Sequence, residues 1–98
     1  MQRQPAIYIL TNKPNGTLYT GVTSNLPNRI WQHKNKVISG FSYKYNLTLL
    51  VYFELYDDMY HAISREKQIK AGSRKNKVML IEKNNKGWYD LYRDIYSY

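Results

Sequence analysis

The first hydrophobic run, Ile7-Tyr8-Ile9-Leu10, gives way to the turn residues Asn12-Lys13-Pro14-Asn15-Gly16, and residues 17–22 then alternate. This pattern predicts a β-hairpin. On its second strand Leu18, Thr20 and Val22 share a core-like face, while Tyr19, Gly21 and Thr23 share a face that looks open. Whether Tyr8 joins Tyr19 there depends on a register that a loop of this length leaves open. The hydrophobic period then lengthens. Ser24 or Asn25 caps a helix to about residue 36, with Pro27 in its first turn and Leu26, Ile30 and Val37 on one stripe. Gly40 ends that region, and residues 41–46 read as a loop. The stretch 47–56 is almost continuously apolar, which predicts a central strand. Asp57 or Asp58 caps a second helix to about Ala71, with Gly72 as its stop, and a third helix runs from about Ser73 to Lys83. Trp88, Leu91, Tyr92 and Ile95 fall at helical spacing, so a short helix is expected at about 88–96.

Length and composition narrow the picture. Ninety-eight residues suit one domain, 1–98, and 43% hydrophobic residues supply a core. With no cysteine, disulfides and thiolate metal sites are excluded. No apolar run is long enough to span a bilayer, and the N-terminal one is too short for a signal peptide, which points to a cytoplasmic protein without a membrane role. The formal charge is +8, and residues 65–86 carry eight basic side chains against Glu66 and Glu82. A cluster of that kind suits a polyanion such as nucleic acid. Its plainer reading is a solvated helical face.

Three features carry candidate chemistry. On the second helix Met59, Ala62 or Ile63, Glu66 and Ile69 recur at helical spacing, so Glu66 sits in or beside the buried stripe. A carboxylate there is paired, neutralised or metal-bound. On the first helix Arg29 and His33 stand one turn apart, which by itself describes a basic helix edge. The hairpin adds Tyr8 and Tyr19. Together these are the parts of a phosphodiesterase. A single carboxylate holds a Mg2+-type ion whose other ligands are water and phosphate, an arginine offsets transition-state charge, and a tyrosine or histidine accepts a proton.

Ala6-Ile7-Tyr8 followed by Leu18-Tyr19-Thr20-Gly21 resembles the paired motif of the GIY-YIG endonuclease superfamily. Arg29, the strand ending near Tyr56, and Arg65-Glu66-Lys67-Gln68-Ile69-Lys70 follow in the family's order. The stretch from Leu80 to Tyr92 looks like the ending of the small stand-alone branch. The resemblance implies an α/β fold, a small three-stranded and mainly antiparallel sheet flanked by helices, with a motif core at about 5–85. It implies Tyr8 as general base working with His33, Tyr19 orienting the phosphate or water, Arg29 binding the phosphate, and Glu66 as sole protein ligand of one Mg2+ or Mn2+. Gly21 and Asn85 stand as structural or substrate positions. Arg65, Lys67, Lys70, Arg74, Lys75 and Lys77 stand as nucleic-acid contacts.

Three positions depart from the family pattern: Ala6 and Thr20 replace a glycine and an isoleucine, and Val22 stands where DNA-repair members carry a lysine. The expected activity is metal-dependent, one-step hydrolysis of DNA with water as nucleophile. The alternative is a non-catalytic nucleic-acid-binding module using the Arg65–Lys86 cluster. With no appended DNA-reading domain, selectivity would rest on structured or branched DNA, a protein partner or a dimer, and RNA stays open as substrate. An imidazole at its ordinary pKa predicts an acidic limb near pH 6.5 in the rate profile.

Overall fold

In the computed structural model, which describes residues 4–95, a three-stranded antiparallel sheet carries helices on both faces. Its elements are β1 (Ala6–Thr11), β2 (Leu18–Thr23), α1 (Leu26–Lys34), α2 (Phe41–Lys44), β3 (Leu49–Leu55), α3 (Met59–Ala71), α4 (Arg74–Asn84) and α5 (Tyr92–Ile95). The strand order is β2-β1-β3. The central strand is therefore β1, not the apolar 47–56 stretch. All six residues of β1 are buried because each face of the sheet is covered. Ala6, Tyr8 and Leu10 pack with Leu26 and Ile30 of α1 and with Ile95, while Ile7 and Ile9 pack with Ala62 and Ile69 of α3 and Ile81 of α4.

The edge strand β3 owes its unbroken apolar pattern to a bulge. Ile9 pairs with Tyr52 but Leu10 pairs with Leu50, so Val51 is the extra residue and the face alternation slips there. Its carbonyl accepts from Asn85 Nδ2 at 3.1 Å, and Asn85 also bonds both backbone polar atoms of Tyr89. Asn85 is thus a structural residue on the β3 side of the sheet. Nearby, Asp90 accepts from Leu50 N at 3.1 Å, and Leu91 N donates to Leu50 O at 2.7 Å. This segment covers part of the open edge of β3.

The helix caps fall where the sequence puts them. Asn25, Asp58 and Ser73 each accept a backbone N–H of the first turn of α1, α3 and α4. Three boundaries differ from expectation. The first helix stops at Lys34, because Asn35 caps it and Lys36 turns to φ 56°, which leaves Val37 exposed. Residues 41–44 form a single helical turn entered through Gly40 at φ 116°, a conformation that favours glycine. Trp88 at φ 57° and the edge-covering role of residues 90–91 confine the last described helix to Tyr92–Ile95, with the end of the predicted helix, residue 96, outside the described residues. Among the described residues no helix is long and apolar enough to cross a membrane.

Candidate active site

Register builds the site. Tyr8 lies opposite Gly21 and Leu10 opposite Tyr19, so both tyrosines project from the face that packs on α1. A Cβ at residue 21 would stand 2.4 Å from both Cζ and Oη of Tyr8. The face that looked open in the sequence is filled by the Tyr8 ring, and only glycine leaves it room. Space, rather than backbone conformation, fixes this glycine.

One turn of α1 supplies the partners. The Tyr8 hydroxyl lies 3.0 Å from His33 Nε2, and His33 Nδ1 lies 2.8 Å from the Ser42 hydroxyl on α2. Tyr19 completes a ring cluster, 6.3 Å from Tyr8 and 5.9 Å from His33 between centroids. Ser42, buried and aimed at the imidazole, is the site residue that sequence reasoning missed. Nothing in the spacing of a hydroxyl inside a supposed loop marks it.

Burial pushes the Tyr8 phenol well above its ordinary pKa of 10.0. Tyr19 and Glu66 push the same way, and Arg29 opposes them through its charge and a hydrogen bond. Burial lowers His33 to about 4, and the Arg29 charge adds to that shift. The imidazole is therefore neutral near pH 7, and its value lies well below the 6.5 on which the expected acidic limb rests. Stability follows the same shift. The folded pKa lies below the unfolded value, so the contribution is full above about pH 6.5 and is lost as pH falls towards 4. Its size is on the order of 3 kcal/mol. The difference in urea midpoint between the natural chain and His33→Gln should therefore change between pH 7 and pH 4.5, and a constant difference would refute this ionisation.

Glu66 arrives from the other side. The helix α3 packs on the opposite face of the sheet from Tyr8, through Ala62 and Ile69. Glu66 is 8% exposed, and its charge acts on the Tyr8 hydroxyl. The helix α3 also lies against the edge strand β2. One Glu66 oxygen pairs with Lys70 Nζ at 2.6 Å. On the far side of α3, Arg65 donates to both carboxylate oxygens of Glu54, at 3.0 and 3.1 Å, and Tyr56 donates to the same carboxylate at 2.6 Å, joined by Tyr52. Burial alone would raise Glu54, but these hydrogen bonds hold its carboxyl below the usual range. This bidentate clamp ties α3 to β3.

The remaining basic candidates divide. Arg65 is in that clamp, Lys70 is on Glu66, Arg74 donates to the carbonyls of Asn15 and Gly16 in the hairpin turn, and Lys77 donates to Gly72 O at 2.8 Å. Lys67 and Lys75 are solvent-exposed. The structure thus brings together Tyr8, Tyr19, Arg29 and His33 on the α1 face, keeps Glu66 and Lys70 together on α3, and holds Arg65, Arg74 and Asn85 in structural contacts.

A three-stranded antiparallel sheet flanked by helices bears these side chains, and residues 4–79 match the GIY-YIG catalytic domain. The chain belongs to the GIY-YIG family. Its relatives include a UPF0213 protein of Desulfotalea psychrophila, 35% identical over 96% of this chain and 87% of that protein. Others are UPF0213 proteins of Pediococcus pentosaceus, 35% identical over 79% of this chain and 80% of that one, and of Clostridium perfringens, 40% identical over 76% and 80%. The fold is similar to the solution structure of the UPF0213 protein BH0048 from Bacillus halodurans, with a TM-score of 0.56 and 23% identity over 89% of this chain and 92% of that one.

Proposed function

We propose that this chain is a divalent-metal-dependent endonuclease that hydrolyses a DNA phosphodiester in one step, with water as nucleophile. The observation that carries this reading is the Tyr8 hydroxyl held 3.0 Å from a neutral imidazole, beside Arg29 and within reach of the Glu66 charge. With Nδ1–H donating to Ser42, His33 Nε2 accepts the Tyr8 proton. Tyr8 in turn takes a proton from the attacking water, so the phenol transfers charge without resting as a phenolate. The water oxygen bonds to phosphorus as the bond to the leaving sugar oxygen breaks. An incoming phosphodiester offsets the Arg29 charge that depresses His33, which makes the imidazole more basic when substrate is bound.

Among the described residues no group of three His, Cys, Asp or Glu could cage a metal. One carboxylate, 8% exposed, fits a Mg2+ or Mn2+ that keeps water and phosphate oxygens as its other ligands. Glu66 would hold that ion, which when bound supplies charge stabilisation to the oxygens on phosphorus.

A cleavage panel of plasmid, single-stranded, branched and RNA substrates with Mg2+ or Mn2+ tests the reading. Tyr8→Phe keeps the ring over Gly21 and removes only the hydroxyl. Turnover should fall by about 10²–10⁴-fold with DNA affinity retained. Turnover within a few-fold of the natural chain would sink the assignment.

A further inference from the structure

On the outer side of β2 lies a groove of about 280 Å3, lined by Leu18, Tyr19, Thr20, Phe41, Lys70 and Lys77. Its walls differ chemically. One is aromatic: Tyr19 and Phe41 stack at 6.2 Å with an interplanar angle of 22°, and Phe41 meets Tyr45 at 4.7 Å. The opposite wall carries two ammonium groups. Thr20 of β2 also lines the groove, a residue 4% exposed whose hydroxyl is itself buried.

Phe41 is 47% exposed and Tyr45 42%, although both stand on or beside the turn whose Ser42 points inward to His33. A lone exposed aromatic is ordinary, but a stacked ladder opening on a cationic groove is not. Lys70 gives one donor to Glu66 and keeps others for a second acceptor. Flat apolar rings beside a phosphate donor match a nucleotide.

We infer that this groove holds one unpaired DNA nucleotide flanking the scissile phosphate, its base stacked on Phe41 and its phosphate on Lys70. The inference rests on the nuclease reading above and adds a substrate class to it. A base in a duplex is stacked on its neighbours and cannot also lie on Phe41, so the site selects single strands and unpaired junction positions over uninterrupted duplex. Lys70 then supplies from α3 a phosphate-binding cation that the strand lacks at Val22. Because α2 carries both Phe41 and the partner of His33, a seated base also braces the imidazole.

Binding measured in EDTA separates this groove from catalysis. A short single-stranded DNA and its blunt duplex are titrated against the natural chain and its variants. Phe41→Ala should weaken single-strand binding about five- to a hundred-fold and leave duplex binding unchanged, since each stacked base contributes that much. Phe41→Trp, which keeps a stacking ring, should restore it. Lys70→Gln should lower the single-strand salt slope by about 0.7. Equal single-strand affinity for the natural chain and folded Phe41→Ala would overturn the inference, and metal-dependent cleavage would then still stand. Phe41-dependent binding without any cleavage would instead support the groove and overturn the nuclease reading.

Discussion

Glu66→Gln is expected to abolish cleavage while leaving the fold intact. The substitution keeps the volume of the side chain and removes the charge that would hold a divalent ion. Removing one member of a fully buried ion pair strands its partner at a cost of several kcal/mol. Here the partner is Lys70, whose side chain is 52% exposed, so water solvates the freed ammonium. The pair then behaves as a surface salt bridge, worth about 1 kcal/mol or less. Thermal melts of Glu66→Gln should therefore overlay those of the natural chain to within a few degrees, whereas cleavage falls to background in Mg2+ and Mn2+ alike. Cleavage at the natural rate would end the assignment of Glu66 as metal ligand. A collapsed melting transition would show that the carboxylate is structural.

The second large effect belongs to a residue with no side chain. Gly21→Ala places a methyl group where the Tyr8 ring now lies, 2.4 Å from Cζ and Oη. Overpacking of this kind costs about 1–3 kcal/mol of stability. The ring has little room to retreat, because Tyr8 is fully buried and its hydroxyl is tied to His33. Displacing that hydroxyl by about 1 Å should lower turnover by about 10²-fold even where the protein stays folded. A double-mutant cycle checks the cause. In a Tyr8→Leu background the stability penalty of Gly21→Ala should shrink, because the shorter side chain no longer crosses residue 21. A penalty of equal size in both backgrounds would mean that the glycine serves the strand and not the tyrosine.

The hairpin, the helix caps Asn25, Asp58 and Ser73, the stop at Gly72 and the buried position of Glu66 are all legible in the sequence. Each depends on residues a few positions apart, where turn chemistry, capping oxygens and helical spacing act directly. The paired tyrosine motifs, Arg29, His33 and Glu66 are legible as a resemblance, and the family it implies is the one to which the chain belongs. The basic cluster was legible as charge but not as geometry. Arg65 and Arg74 look like free cations until Glu54 and the carbonyls of the hairpin turn, distant in sequence, are brought against them.

Tertiary structure decided the rest, and in each case the reason is a contact between distant segments. Register set Tyr8 over Gly21, and nothing in either strand alone specifies it. A one-residue bulge at Val51, answered by Asn85, broke the alternation of β3 and made an edge strand read as a central one. The ionisation of His33 is set by burial and by the Arg29 charge, so the same residue in an unfolded chain keeps its ordinary pKa. Sequence determined which side chains were available and the local element that bears each one. Packing decided which of them share a face of the sheet, because only a folded chain removes water from between groups that lie dozens of residues apart.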